Sequence, residues 1–200
     1  MRLFQVDAFA ERPFGGNPAA VCLVEGDVDA DWMQSVASEM NLSETAFLTP
    51  AGDGMYGLRW FTPAYEVDLC GHATLAAAHI LWEEKIDGPE PLSFETRSGL
   101  LTAVPVGDGL IQLDFPADPP EVSYGGGPFS EGLAAALGAP VVSVHRGRFD
   151  LLAEVADAET VRRLAPDFRA LAGFDARGVI VTAPGDGLDG ADFVSRCFYP

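Results

Sequence analysis

Three short segments of the sequence hold residues that could carry out acid–base chemistry. Asn17 follows a pair of glycines, Glu44 follows Ser43, and His72 lies two residues after Cys70. Each of these segments is predicted to lie at a turn or at the end of an element, where side chains can reach a ligand. A carboxylate beside polar and ring-nitrogen groups is suited to transferring a proton on a small polar substrate.

Glu44 is the candidate general acid or base. The apolar residues 46–48 follow it and would partly shield its carboxylate from water, an environment that suits a carboxyl group to proton transfer at neutral pH. Two structural alternatives remain open at this point. Glu44 could be a solvated acid at a strand edge, or it could be the ion-pair partner of an arginine such as Arg59.

Gly71 and His72 begin a predicted helix over residues 71–85. The first backbone N–H groups of a helix have no partner within the helix, and the helix dipole favours negative charge there. A substrate carboxylate or a developing enolate would fit this position. The alternative is an ordinary helix start that Asp68 caps, with His72 simply packed against its neighbours.

Cys70 is a possible thiol acid or base, because a helix N-terminus favours the thiolate. Free cysteines are more often small buried hydrophobic residues, and this is the prediction for Cys22 and Cys197. The spacing of His72, His79 and His145 matches no zinc motif, so the sequence predicts no metal site. No serine-hydrolase elbow, phosphate loop or dinucleotide fingerprint is present in the sequence.

Composition excludes several classes of partner. The chain of 200 residues has 30 acidic and 12 basic residues, and its net charge of −18 repels nucleic acids and anionic lipid surfaces. No apolar run reaches the length of a membrane-spanning helix. The N-terminal residues do not form a signal-peptide pattern, and three cysteines are too few for a disulfide framework. These features predict a cytoplasmic protein without nucleic-acid or membrane partners.

Periodicity and turn signals predict a chain that alternates strands and helices. The first predicted strands form a hairpin. The predicted strands span residues 3–9, 19–24, 43–48, 56–61, 92–96, 100–106, 110–115, 141–145, 151–155, 178–182 and 191–199. The predicted helices span residues 29–40, 71–85, 130–137 and 158–164.

A connection rich in proline and glycine, from 116 to 128, predicts a boundary between two domains at residues 1–118 and 119–200. In the first domain, the alanines of the helix at 71–85 would let strands approach it closely. The expected arrangement is therefore a central helix with a sheet wrapped around it.

Four motifs, taken in order along the chain, resemble the PhzF-like phenazine-biosynthesis isomerase family. They are FGGNPAAVC at 14–22, LSETAF at 42–47, RWFTP at 59–63 and EVDLCGHATL at 66–75. The resemblance covers essentially the whole chain and includes DFVSRCFYP at 192–200.

The resemblance implies an α/β (α+β) fold like that of diaminopimelate epimerase. Two similar domains would each wrap a mixed, mostly antiparallel sheet around a central helix. It also implies that Glu44 moves a proton on a small unsaturated or amino carboxylic acid without a cofactor. Asn17, Ser43, Gly71 and His72 would bind the substrate, and the protein would be a homodimer.

Two alternatives to this isomerase remain open. Members of the family continue past the last residue of this chain with a segment that adds an acidic residue to the cleft. The chain is therefore expected to be a fragment of a longer isomerase or a truncated relative that binds a ligand without turnover. The second alternative is an amino-acid epimerase that uses Cys70, which lies close to the catalytic thiol position of related epimerases.

Overall fold

The computed structural model describes residues 1–12, 14–26, 28–52, 54–88, 90–120, 122–187 and 190–200. These residues form two compact units, 1–116 and 117–200, each with its own sheet and apolar core. Among the described residues, no helix has the length and apolar character needed to cross a membrane.

The first unit is built on an eight-stranded sheet in the described part of the chain. The sheet order is β1-β2-β3-β4-β6-β7-β8, and β5 pairs with β4. Its elements are β1 (Arg2–Ala8), β2 (Asn17–Leu23), α1 (Ala30–Met40), β3 (Glu44–Gly52), β4 (Met55–Phe61), β5 (Glu66–Val67), α2 (Gly71–Glu83), β6 (Leu92–Thr96), β7 (Gly99–Pro105) and β8 (Ile111–Asp114). The pairs β2–β3 and β4–β6 are parallel, with α1 and α2 as their connecting helices, and the other pairs are antiparallel. The predicted hairpin, strands and helices of this unit are confirmed.

Helix α2 is buried on most of its circumference. Its Ala and Leu residues favour helix formation, and the small alanines let β1, β2 and β3 pack closely against it. Leu81 lies in the same core as Trp60 and Phe94. The enclosure extends beyond a single apolar stripe of the helix, because Ala76 and Ala77 are fully buried whereas Leu75 is only half-buried.

Helix α1 covers part of the opposite face of the same sheet. Asp29 caps its N-terminus by accepting a hydrogen bond from the backbone N–H of Trp32 at 2.7 Å. Met33 packs with Phe47 and Phe61, which alternate along their strands with the residues that face α2. The central strands are thus buried on both faces.

The second unit holds a five-stranded sheet in the described residues, in the order β13-β12-β11-β10-β9. Its elements are β9 (Val122–Tyr124), α3 (Pro128–Leu137), β10 (Ser143–Arg146), β11 (Asp150–Glu154), α4 (Ala158–Arg163), α5 (Phe168–Leu171), β12 (Gly178–Pro184) and β13 (Phe193–Phe198). Only β11 and β12 run parallel within this sheet. Leu133 and Leu137 of α3 are buried in the core against Leu151 and Val181 of the strands.

Some predictions for local structure were incomplete or wrong. The sequence did not indicate β5, β9 or α5, because two to four residues are too few to show a period. Cys22 is buried, as predicted. Cys197 is exposed, because it lies on β13, a strand at the edge of the sheet, so the prediction of a buried cysteine was wrong there.

Candidate active site

The topology of the first unit brings three chain segments to the same end of its strands. Because β2 and β3 are parallel, Asn17 and Glu44 begin neighbouring strands at this end of the sheet. Strand β4 runs back along β3, so that its last residue, Phe61, pairs with Thr45. The chain then forms β5 and enters α2 at Gly71, which places the first turn of this helix near the start of β3.

The turn before β2 depends on a glycine. A Cβ atom at Gly16 would lie 2.3 Å from the carbonyl oxygen of Ala8. No larger side chain fits such an approach, and Ala8 pairs with Asn17 at the end of the hairpin. Gly16 thereby holds Asn17 at the start of β2.

The side chains predicted to form the site converge on the His72 ring. Nε2 of His72 lies 3.3 Å from Glu44 Oε2 and 3.3 Å from Ser43 Oγ. Ser43 Oγ lies 3.5 Å from Asn17 Oδ1. The Glu44 side chain is 20% exposed and the His72 side chain is 11% exposed. A ligand can therefore reach the carboxylate while the imidazole is largely enclosed.

Cys70 contacts the other nitrogen of the same ring. Its residue is 7% exposed, and its Sγ lies 3.4 Å from His72 Nδ1. The ring of His72 therefore lies between a thiol and a carboxylate. The sequence showed that Cys70 and His72 are two residues apart, but it did not show that their side chains meet.

The start of α2 lacks a side-chain cap. Cys70 is the N-cap residue and its side chain accepts no capping hydrogen bond. The alternative interpretation, in which Asp68 caps this helix, was therefore wrong. The Asp68 carboxylate faces Arg97, with Oδ1 3.7 Å from Nη1. The first intrahelical hydrogen bond runs from Thr74 N to Cys70 O. The amides of Gly71 and His72 precede it and are oriented to bind an anion.

Arg59 does not pair with Glu44. It donates two hydrogen bonds of 2.7 Å to Glu66, which also contacts Arg97. This pairing of β4 with β5 fixes the segment that leads into α2. The interpretation of Glu44 as the partner of Arg59 was therefore wrong, because Glu44 contacts His72 instead.

Burial lowers the pKa of His72 from its ordinary value, and this effect exceeds the opposing influences of the Glu44 carboxylate and the Pro18 carbonyl. A neutral imidazole has one donor and one acceptor nitrogen. The contacts favour the tautomer in which Nε2–H donates to Glu44 and Nδ1 accepts from the Cys70 thiol. The pair His72–Glu44 is then a hydrogen bond between a neutral ring and a carboxylate.

Titration of His72 tests this assignment. We expect the ring proton resonances of His72, identified by their loss in His72→Gln, to titrate with a midpoint below about 6.5. Because the unfolded chain would bind the proton more readily, this group reduces stability as the pH falls from about 6.5 towards the folded-state pKa. A midpoint above 6.5 would instead indicate an imidazolium paired with Glu44.

A cavity of about 780 Å³ lies next to the start of α2, within the first unit. Gly71, Leu75 and His79 form its helical wall, and Phe9 and Phe115 contribute apolar surface. This cavity could not be predicted from the sequence, because its walls come from segments that are distant along the chain. It adjoins the site through Gly71.

Comparisons with known proteins agree with this fold and motif order. A family model described as "Phenazine biosynthesis-like protein" (PhzC-PhzF) matches residues 6–200. A protein named an uncharacterized isomerase from Halalkalibacterium halodurans is 50% identical over 199 residues, which are 99% of this chain and 73% of that protein.

Solved structures give the same result. The crystal structure of a PhzF family protein from Enterococcus faecalis has a TM-score of 0.88 and 46% identity, over 99% of this chain and 73% of that one. A predicted epimerase from Pseudomonas aeruginosa has a TM-score of 0.69 and 26% identity, over 90% of this chain and 69% of that one. The predicted epimerase-like fold class is confirmed. The chain therefore belongs to the PhzC-PhzF family of phenazine biosynthesis-like proteins.

Proposed function

We propose that this chain is a cofactor-independent isomerase that moves a proton on a small unsaturated or amino carboxylic acid. Relatives that are named isomerases support the reaction class. The observation that carries the proposal is the position of Glu44. Its partly exposed carboxylate lies 3.3 Å from the enclosed ring of His72, near the uncapped start of α2.

In this mechanism Glu44 removes a proton from one carbon of the substrate and returns a proton to another carbon on the same face. Its carboxylate must be ionised to accept the proton and becomes the acid that gives it back. A hydrogen bond from His72 Nε2–H leaves the second oxygen of Glu44 available to the substrate. A single residue can therefore serve as base and then as acid.

The start of α2 supplies the electrostatic part of the mechanism. Proton removal next to a carboxylic acid places negative charge on oxygen atoms of the substrate. The amides of Gly71 and His72 and the helix dipole would stabilise this charge as it develops. We assign Asn17 and Ser43, which are exposed beside the ring, to substrate binding.

Proton exchange with solvent tests the proposal directly. We would incubate the chain in D₂O with a panel of small unsaturated and amino carboxylic acids and follow the products by proton NMR. The Glu44 carboxyl is 20% exposed, so its proton exchanges with D₂O before it is returned, and deuterium appears at the carbon that receives it. Binding of a panel member without deuterium incorporation would favour a catalytically silent binding protein.

A thiol-dependent epimerase is the second candidate, favoured by the contact between Cys70 Sγ and His72 Nδ1. Under the proposal above, Cys70→Ser keeps deuterium incorporation within about tenfold of the wild type, because serine also donates a hydrogen bond to Nδ1. If the thiolate is the base, the same variant loses about 10²–10⁴-fold. Cys197→Ser, in the second unit, is the matched control.

We also propose that the protein works as a homodimer in the cytoplasm, as its resemblance to the family implies. The mass of the chain in solution, measured by light scattering against its calculated 21.2 kDa, tests the dimer. A monomer at every protein concentration would contradict this part of the proposal.

A further inference from the structure

Glu44, Cys70 and His72 offer three different donor atoms in one small space. A thiol sulfur, an imidazole nitrogen and a carboxylate oxygen, one from each residue, all lie within 4.8 Å of one another. The three residues come from the start of β3, the residue before α2 and the first turn of α2. Among the residues of the sequence, only the spacing of the histidines was compared with known zinc motifs. That spacing does not indicate that the side chains of Glu44 and Cys70 lie beside His72.

This donor set has the chemistry of a zinc site. Zinc binds thiolate sulfur at about 2.3 Å and imidazole nitrogen or carboxylate oxygen at about 2.0–2.2 Å, in a tetrahedron. Those bond lengths place neighbouring donors about 3.3–3.7 Å apart. The observed 3.4 Å between Cys70 Sγ and His72 Nδ1 already falls in this range.

The remaining adjustment concerns the Glu44 side chain. Its Oε2 contacts Nε2 of His72, whereas Cys70 Sγ contacts Nδ1, so the carboxylate must shift for one metal ion to meet all three donors. A carboxylate that is partly exposed can rotate, and because the three donor atoms all lie within 4.8 Å of one another, a movement of at most about 1.5 Å brings them to tetrahedral spacing. Three protein ligands would leave the fourth position to water or to an anionic ligand, as in zinc sites that keep an open position.

We propose that Glu44, Cys70 and His72 form a binding site for Zn²⁺. Zinc in this site takes the lone pairs of Glu44 that would accept the substrate proton. Bound zinc therefore inhibits proton transfer, a consequence that rests on the proposed isomerase function. The binding itself does not depend on that function.

Cobalt provides a direct probe of the binding site, because a thiolate bound to Co²⁺ gives a charge-transfer absorption band in the near ultraviolet. We expect one equivalent of Co²⁺ per chain to produce this band in the wild-type protein and Zn²⁺ to displace it. Cys70→Ser should abolish the band, and His72→Gln should weaken Zn²⁺ binding by at least about tenfold. Cys197→Ser, which removes an exposed thiol elsewhere, should leave both unchanged.

The outcomes separate this proposal from the proposed function. A band that survives in Cys70→Ser but disappears in Cys197→Ser would overturn the assignment, as would the lack of a band in the wild type. If the metal-free chain shows no deuterium incorporation while Zn²⁺ binds as expected, the isomerase proposal fails and the zinc site stands. If incorporation occurs and saturating Zn²⁺ does not reduce it, the inhibitory role is wrong.

Discussion

Replacement of Glu44 by glutamine is expected to reduce solvent-deuterium incorporation by about 10²–10⁴-fold, the usual contribution of a general acid or base. Glutamine has nearly the same volume, and its amide oxygen can still accept a hydrogen bond from His72 Nε2–H. It cannot take up and return a proton at neutral pH. The substitution therefore removes the proton carrier and leaves the surrounding packing in place.

A matched control distinguishes this effect from a general loss of negative charge. Glu95, on β6 of the same unit, is exposed, and Glu95→Gln should keep the wild-type rate. Ligand binding by Glu44→Gln, measured by calorimetry, should persist because Asn17, Ser43 and the start of α2 are unchanged. Full incorporation in Glu44→Gln would contradict the assigned role of this residue.

Truncation of Leu81 to alanine is expected to lower the free energy of unfolding of the first unit by about 2–5 kcal/mol. The Leu81 side chain is 0% exposed and lies in α2 within a core that also contains Trp60 and Phe94. Alanine favours a helix, so the loss would come from the cavity and from missing contacts rather than from helix propensity. The surrounding strands are hydrogen-bonded in a sheet and cannot collapse freely into the space.

Tryptophan fluorescence during denaturant unfolding measures this change in the first unit alone. All three tryptophans of the chain, Trp32, Trp60 and Trp82, belong to that unit. Leu100→Ala is the matched control, because that leucine is 62% exposed and its truncation should cost less than about 0.5 kcal/mol. Equal losses in the two variants would show that the helix is not the centre of the core.

Much of the local structure could be predicted because it depends on near neighbours in the chain. The hairpin of β1 and β2 was indicated by an alternating segment, a turn and an apolar run, and α2 was indicated by a stretch rich in Ala and Leu without proline. The motif residues Asn17, Glu44 and His72 were identified for the same reason. Their positions at element ends were sufficient to mark them as candidates for chemistry.

The pairing of side chains could not be predicted in the same way. Glu44 and Arg59 are both charged and their strands are neighbours, so an ion pair was a reasonable expectation. The two-residue strand β5 brings Glu66 to Arg59 instead, and its length gives no periodic signal. The contact of Glu44 with His72 depends on the order of strands, which residue types alone do not determine.

The enclosed helix α2 also determines how the site responds to fluctuation. Amide hydrogens in its interior should exchange with solvent only when the first unit opens globally, because strands shield them. Those of Gly71 and His72 lie ahead of the first intrahelical hydrogen bond and should exchange far sooner. The amide hydrogens in the interior of α2 thus exchange slowly, whereas those at its N-terminus exchange readily. Activity that depends on the N-terminus of α2 should therefore persist up to the denaturant concentration at which the first unit unfolds. No earlier loss of activity, before the unfolding transition, is expected.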